Sequence, residues 1–106
     1  MYTVIWRYVV PPSHRDAFVS AYRPDGDWAR LFSSHPGFIG VELVVDPTPG
    51  HFVTIDYWRD ERAREDFIER SRIAYDRLDR RLGQLTSSEE LIARGTLLRT
   101  NPSTSA

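Results

Sequence analysis

The sequence predicts one α+β domain in the order β-α-β-β-α-β, a four-stranded antiparallel sheet with both main helices on one face. Three observations predict it. Residues 38–45 and 51–58 are β-branched and aromatic runs joined by the loop DPTPG, which reads as a hairpin. A charged helical stretch over 61–82 follows at once, with Ala63, Phe67, Ala74, Tyr75, Leu78 and Leu82 forming an apolar stripe near i, i+4, i+7 spacing. A strand and helices precede the hairpin, and another strand follows the long helix. This is the ferredoxin-like plan.

Each element has its own signals. Residues 2–10 are rich in β-branched and aromatic side chains and predict the first strand, stopped by Pro11-Pro12. Ser13, with Asp16 three residues on, predicts a capped helix over 15–22. Pro24-Asp25-Gly26 breaks that helix, and Asp27 is placed to cap a short second one over 28–34. Pro36-Gly37 turns the chain into the hairpin. Asp60 is the expected N-cap of the long helix and Gly83 its C′ residue. Ser87-Ser88-Glu89-Glu90 offers a capping box and one turn of helix before a fourth strand over 91–98. The expected domain is 1–98, and 99–106 is a polar tail expected to fray.

Composition narrows the function classes. The chain has 106 residues, a hydrophobic content of 41%, a charged content of 27% and a net charge of −1. Those values fit one globular domain and give no global field for nucleic acid or acidic lipid. The run RDERARED at 59–66 interleaves acids with its bases and reads as a solvated helix start, not a nucleic-acid stripe. All 14 basic residues are Arg, so no lysine is available as Schiff base or general base. Cysteine is absent, which removes thiol nucleophiles, disulfides and thiolate metal sites. No metal-ligand spacing is present, and no apolar run reaches the roughly 18 residues needed to span a bilayer. With no leader-like pattern at Met1, a cytoplasmic location is the expectation.

The strands are apolar on both faces. Ile5, Val9, Ile39, Val41, Leu43, Val45, Val53, Ile55 and Tyr57 occupy odd positions, while Val4, Trp6, Tyr8, Phe38, Val44, Phe52 and Trp58 occupy even ones. Helices on one side cover only one face. An uncovered apolar face of several hundred Å2 is rare on a soluble monomer. A homodimer, sheet against sheet, is therefore expected.

The pieces VIWRYVV, AFVSAYRPDGDWARLFSSHPGFIGVELVVD and FVTIDYW, then a helix carrying Phe67 and Tyr75, then LTSSEELI, resemble the antibiotic biosynthesis monooxygenase (ABM) family of dimeric α+β barrels. The likeness runs over about residues 2–94. Members include oxygenases that need no cofactor and convert anthrones or hydroquinones to quinones, haem-degrading proteins, and proteins without an assigned role. The quinone-forming members carry Trp at the place of Trp58, which matches. They carry Asn at the place of Thr54 and Tyr at the place of Arg64, where this chain departs. The Asn, Trp and His of the haem-degrading members fall at Trp6, Phe67 and Arg77, so haem degradation is not expected.

What the resemblance implies is a cofactor-free monooxygenase acting on an apolar aromatic small molecule. In that reading Trp6, Tyr8, Trp58, Thr54, Phe67 and Arg94 form the binding set. Asp56 or His51 is the base, and Tyr75 or Arg94 donates a hydrogen bond to reduced oxygen. Each residue also has a structural reading. Trp58 is either a pocket wall or a plug at the strand–helix corner. Trp6, Tyr8 and Tyr75 either line a cavity or pack the core. Asp56, mid-strand in an apolar run, is either a desolvated base or paired with Arg7 or Arg94. Whether Glu42 joins the Asp56 face depends on the hairpin register. His14, His35 and His51 all sit at element ends, where caps and loops commonly hold histidine. The alternatives to an oxygenase are a non-catalytic dimeric module that binds an apolar small molecule, and a cyclase-like dimeric barrel acting on a polyketide.

Overall fold

The computed structural model describes residues 1–99. Four strands, β1 (Tyr2–Val9), β2 (Phe38–Val45), β3 (His51–Trp58) and β4 (Ser88–Thr96), form one antiparallel sheet in the order β2-β3-β1-β4. Helices α1 (Arg15–Tyr22) and α2 (Asp27–Phe32) lie between β1 and β2, and α3 (Glu61–Arg70) and α4 (Arg72–Gly83) between β3 and β4. The predicted ferredoxin-like order is therefore the observed one. The tail expected over 99–106 lies, from 100 onward, outside the described residues.

Two bulges set which side chains face the helices. Phe38 pairs with Trp58 but Gly40 with Tyr57, so Ile39 is the extra residue and turns outward, 53% exposed. Beyond it Val41 opposes Asp56 and Leu43 opposes Thr54, beneath the helices. Glu42 opposes Ile55 and so lies on the other face, away from Asp56, where its carboxylate accepts from the Tyr57 hydroxyl. A second bulge, between Ile5 and Trp6, pairs them with Ala93 and Leu91 and leaves Ile92 over.

Four local expectations are corrected. Ser13 does not cap α1: a 3-10 turn, Pro12–His14, intervenes and leads straight into the helix without a side-chain cap. Asp27 is the first residue of α2, not its cap, and it binds Arg30 at 3.1 Å and Arg81 of α4 at 2.8 Å. The capping position is Gly26, where a Cβ would stand 2.5 Å from the Ala21 carbonyl oxygen, so only glycine fits. The long helix is divided at Ser71 (φ −111°, ψ 20°), although the Ser71 and Tyr75 amides still bond back to Phe67 and Ser71 at 2.8 Å. Glu89 and Glu90 are strand, not helix, because the β1 edge offers a ladder: the Ser87 amide bonds Val9 and the two acids pair Tyr8 and Arg7. Tertiary pairing outweighs a local cap signal worth about 1 kcal/mol.

The core lies between the sheet and the helices. Val4, Phe18, Phe52, Trp58 and Phe67 are its fully buried side chains, each worth roughly 1.5–3 kcal/mol of burial. Asp60 caps α3 as predicted, accepting from the Ala63 amide at 2.8 Å.

Candidate functional site

Side chains alternate along a strand, so the central strands present Trp6, Tyr8, Thr54 and Asp56 on the helix-facing side. Register brings Trp6 opposite Thr54 and Asp56 opposite Val4. These four form the floor of a cavity of about 110 Å3. Helices α1 and α2 supply a wall of Tyr22, Trp28 and Phe32, and β2 supplies Val41. Helix α4 adds Tyr75 and Asp79, one turn apart and thus on one side of the helix. Glu89 of β4 completes the mouth next to its strand partner Tyr8. Trp6 and Tyr8 are stacked with centroids 6.5 Å apart, and Trp28 lies 5.1 Å from Tyr75 and 6.4 Å from Tyr22. Roughly 10–15 Å3 of such space holds one water, and a cavity of about 150 Å3 accepts benzene. The space is therefore somewhat smaller than a benzene-sized cavity, and an aromatic ligand extends out through its open mouth.

Aromatic walls set the acid–base character. Burial pushes the Asp56 carboxyl up to about 7, with the Arg64 guanidinium pulling the other way. Burial also raises the Tyr8 phenol far above its usual range, lifts Tyr22 to about 12 and raises Tyr75. All three phenols therefore keep their protons and serve as donors. Burial and the neighbouring Asp79 raise Glu89. The Trp28 indole N–H is buried and faces the Tyr22 hydroxyl without closing a hydrogen bond of good geometry. The floor can thus exchange a proton near neutral pH, and the walls can stack on a ring and donate to an oxygen.

The cavity gathers Trp6, Tyr8, Thr54, Asp56 and Tyr75 from the expected set. Trp58, Phe67, His51 and Arg94 stand elsewhere. Trp58 is 1% exposed and packs 5.2–5.4 Å from Phe32, Phe38 and Phe67, at the strand–helix corner below the cavity. Phe67 shares that layer. His51 begins β3 beside the hairpin, its amide bonded to Thr48, away from the cavity. Arg94 is exposed on the edge strand. Neither Arg7 nor Arg94 pairs with Asp56; Arg7 points to the opposite face, opposite Val53.

His35 is structural: its Nδ1 accepts from the Gly37 amide at 2.9 Å, so its Nε2 donates to Asp66 at 2.8 Å. These contacts hold the turn onto α3, where a Cβ on Gly37 would meet Ala63 at 2.5 Å. The residues that sequence reasoning missed are Tyr22, Trp28, Phe32, Val41, Asp79 and Glu89. Asp79 carried a usable signal, since it follows Tyr75 by one helical turn; Glu89 did not, because it looked like a cap. Among the described residues no group of three His, Cys, Asp or Glu is placed to hold a metal. No described helix is long and apolar enough to cross a membrane.

A ferredoxin-like sheet with this helix-covered cavity defines the class, and the sequence pattern of the antibiotic biosynthesis monooxygenase family matches residues 1–71. The chain belongs to that family. Among solved structures it is similar to SnoaB, a cofactor-independent oxygenase from Streptomyces nogalater. That likeness has 20% identity and a TM-score of 0.72, over 95% of this chain and 96% of that one. An alanine variant of the same protein gives 22% identity and a TM-score of 0.73 at the same coverage. The protein PA3566 from Pseudomonas aeruginosa aligns with 20% identity and a TM-score of 0.68, covering 92% of this chain and 94% of that one. At these identities the likeness speaks for the fold. No curated protein sequence matches the chain.

Proposed function

We propose that this chain is a cofactor-independent monooxygenase that binds a phenolic aromatic molecule of the anthrone or hydroquinone kind in the cavity above Asp56. The observation that carries the reading is a carboxyl held near 7 at the floor of an aromatic cavity whose phenols all remain protonated. Membership of the family and the structural likeness to a cofactor-independent oxygenase support it.

The chemistry for an anthrone balances without an external reductant. Asp56 takes a proton from the activated ring carbon, leaving a delocalised carbanion. That electron-rich ring reduces O2 by one electron, and the radical pair combines into a C–O bond, giving a hydroperoxide once protonated. Loss of the second ring hydrogen with cleavage of the O–O bond leaves a quinone carbonyl and releases water. One oxygen atom thus enters the product. Tyr75 and Tyr8 donate to the developing peroxide, and the cavity walls hold the ring and keep bulk water away. A second copy of the chain, packed against the open sheet face, completes the assembly in this proposal.

Oxygen uptake with 1,8-dihydroxyanthrone tests it. Wild-type protein should consume one O2 per quinone formed, above the spontaneous rate, and Asp56→Asn should lower that rate roughly a hundred- to ten-thousand-fold. Saturable quenching of tryptophan fluorescence with no uptake would instead favour a binding module or a cyclase.

A further inference from the structure

We propose that the mouth of the cavity selects by charge, admitting neutral phenolic rings and rejecting those that carry a carboxylate. The inference rests on the cavity being the ligand site, and it concerns which ligands enter. The carboxyl groups of Asp56, Asp79 and Glu89 line the cavity, and no basic side chain does. The chain is rich in arginine, and six of its fourteen guanidinium groups neutralise acids elsewhere. Asp16, Asp25, Asp27 and Asp60 each hold an arginine, and Asp66 holds both Arg70 and His35. Among the described residues none of the three cavity carboxyls has such a partner. Arg64 acts on Asp56 and on Tyr75 but does not itself line the cavity.

The three acids have different places. Asp56 lies on the floor, whereas Asp79 and Glu89 are exposed at the mouth. An incoming carboxylate therefore meets two like charges before it reaches any donor, and aromatic walls screen that repulsion poorly. A ring bearing hydroxyls meets acceptors on the same groups: its O–H groups donate to Asp79 and Glu89, while the three phenols, and the Trp28 N–H beside Tyr22, offer donors to its oxygens. The consequence for the reaction sequence is specific. If the ring is made as an acid, its carboxyl has to be removed by decarboxylation or masked as an ester or amide before this protein acts.

The test is binding, read by tryptophan fluorescence, since Trp6 and Trp28 line the cavity. Stable quinones serve as probes so that turnover does not interfere: 1,8-dihydroxyanthraquinone against rhein, the same ring system with one carboxyl. Hydroquinone against gentisate, titrated without oxygen so that neither is turned over, gives the single-ring pair. At pH about 8 and low salt the neutral member should bind at least about tenfold more tightly than its acid partner, and added salt should narrow the gap. In the double variant Asp79→Asn, Glu89→Gln the ratio of the acid's Kd to that of the neutral ring should fall towards one. Equal binding of acid and neutral members by wild type, or an unchanged ratio in the variant, overturns the charge selection and leaves the oxygenase reading intact. Failure of both neutral rings to bind overturns the assignment of the cavity as the site, and with it this proposal.

Discussion

Asp56 is the residue on which chemistry and stability pull in opposite directions. Its carboxyl is raised to about 7 by burial, above the ordinary value of 3.8. The folded protein therefore holds a proton there that the unfolded chain has lost, and stability falls as pH rises between about 4 and about 7, then levels off. Three pH units correspond to an upper bound of about 4 kcal/mol. Asp56→Asn removes that cost. The variant should be inactive yet more stable than wild type above pH about 7, with the difference vanishing below pH about 4; urea unfolding across that range measures it. A second test concerns the hydrogen-bond donor. Tyr75→Phe keeps the ring against Trp28 but deletes the phenol, so it should lower kcat roughly a hundredfold with little change in substrate Kd, as steady-state oxygen uptake beside fluorescence titration would read. Trp58 behaves differently. It is wedged in the core, so Trp58→Ala should cost about 3–5 kcal/mol in chemical unfolding.

Legibility in the sequence also differs by residue. Asp56 stood out because a carboxylate in an apolar strand demands an explanation. Tyr22, Trp28 and Glu89 did not, because their role comes from helices and an edge strand meeting over the sheet, which no local spacing encodes.

The elements show why strand and helix types were readable and their details were not. The hairpin is announced by DPTPG and by alternation, and β2 and β3 fall where expected. The bulge at Ile39 was not announced, yet it decides that Val41 and Leu43 face the helices and Glu42 does not. The break at Ser71 was hidden by a continuous charged pattern, since the apolar stripe runs through it. Glu89 and Glu90 carried a cap signal that pairing with β1 overrode. The cap signal at Asp60 held: Asp60→Ala should destabilise the fold by about 1 kcal/mol, visible in the denaturation midpoint with activity unchanged at low temperature.

At the scale of the whole molecule, the described residues leave the sheet face away from the helices uncovered. Ile5, Val9, Val53 and Ile55 are only half-buried there, and Val44 is 45% exposed. Arg7 opposite Glu90 and the Tyr57–Glu42 contact give that face a few polar marks. A sheet-to-sheet homodimer would cover it; a stable interface buries about 800 Å2 per partner. Val44→Glu places a charge in that interface, so the variant should elute as a monomer while wild type elutes as a dimer, as light scattering would show.

The measurement closest to the central claim is the pH profile of oxygen uptake on 1,8-dihydroxyanthrone, from pH about 5 to about 9, for wild type and Asp56→Asn after subtraction of the spontaneous rate. If Asp56 is the base at the cavity floor, the wild-type rate rises with pH and turns over near 7, and the variant stays at the background throughout. A variant that retains the wild-type rate and profile would contradict the account.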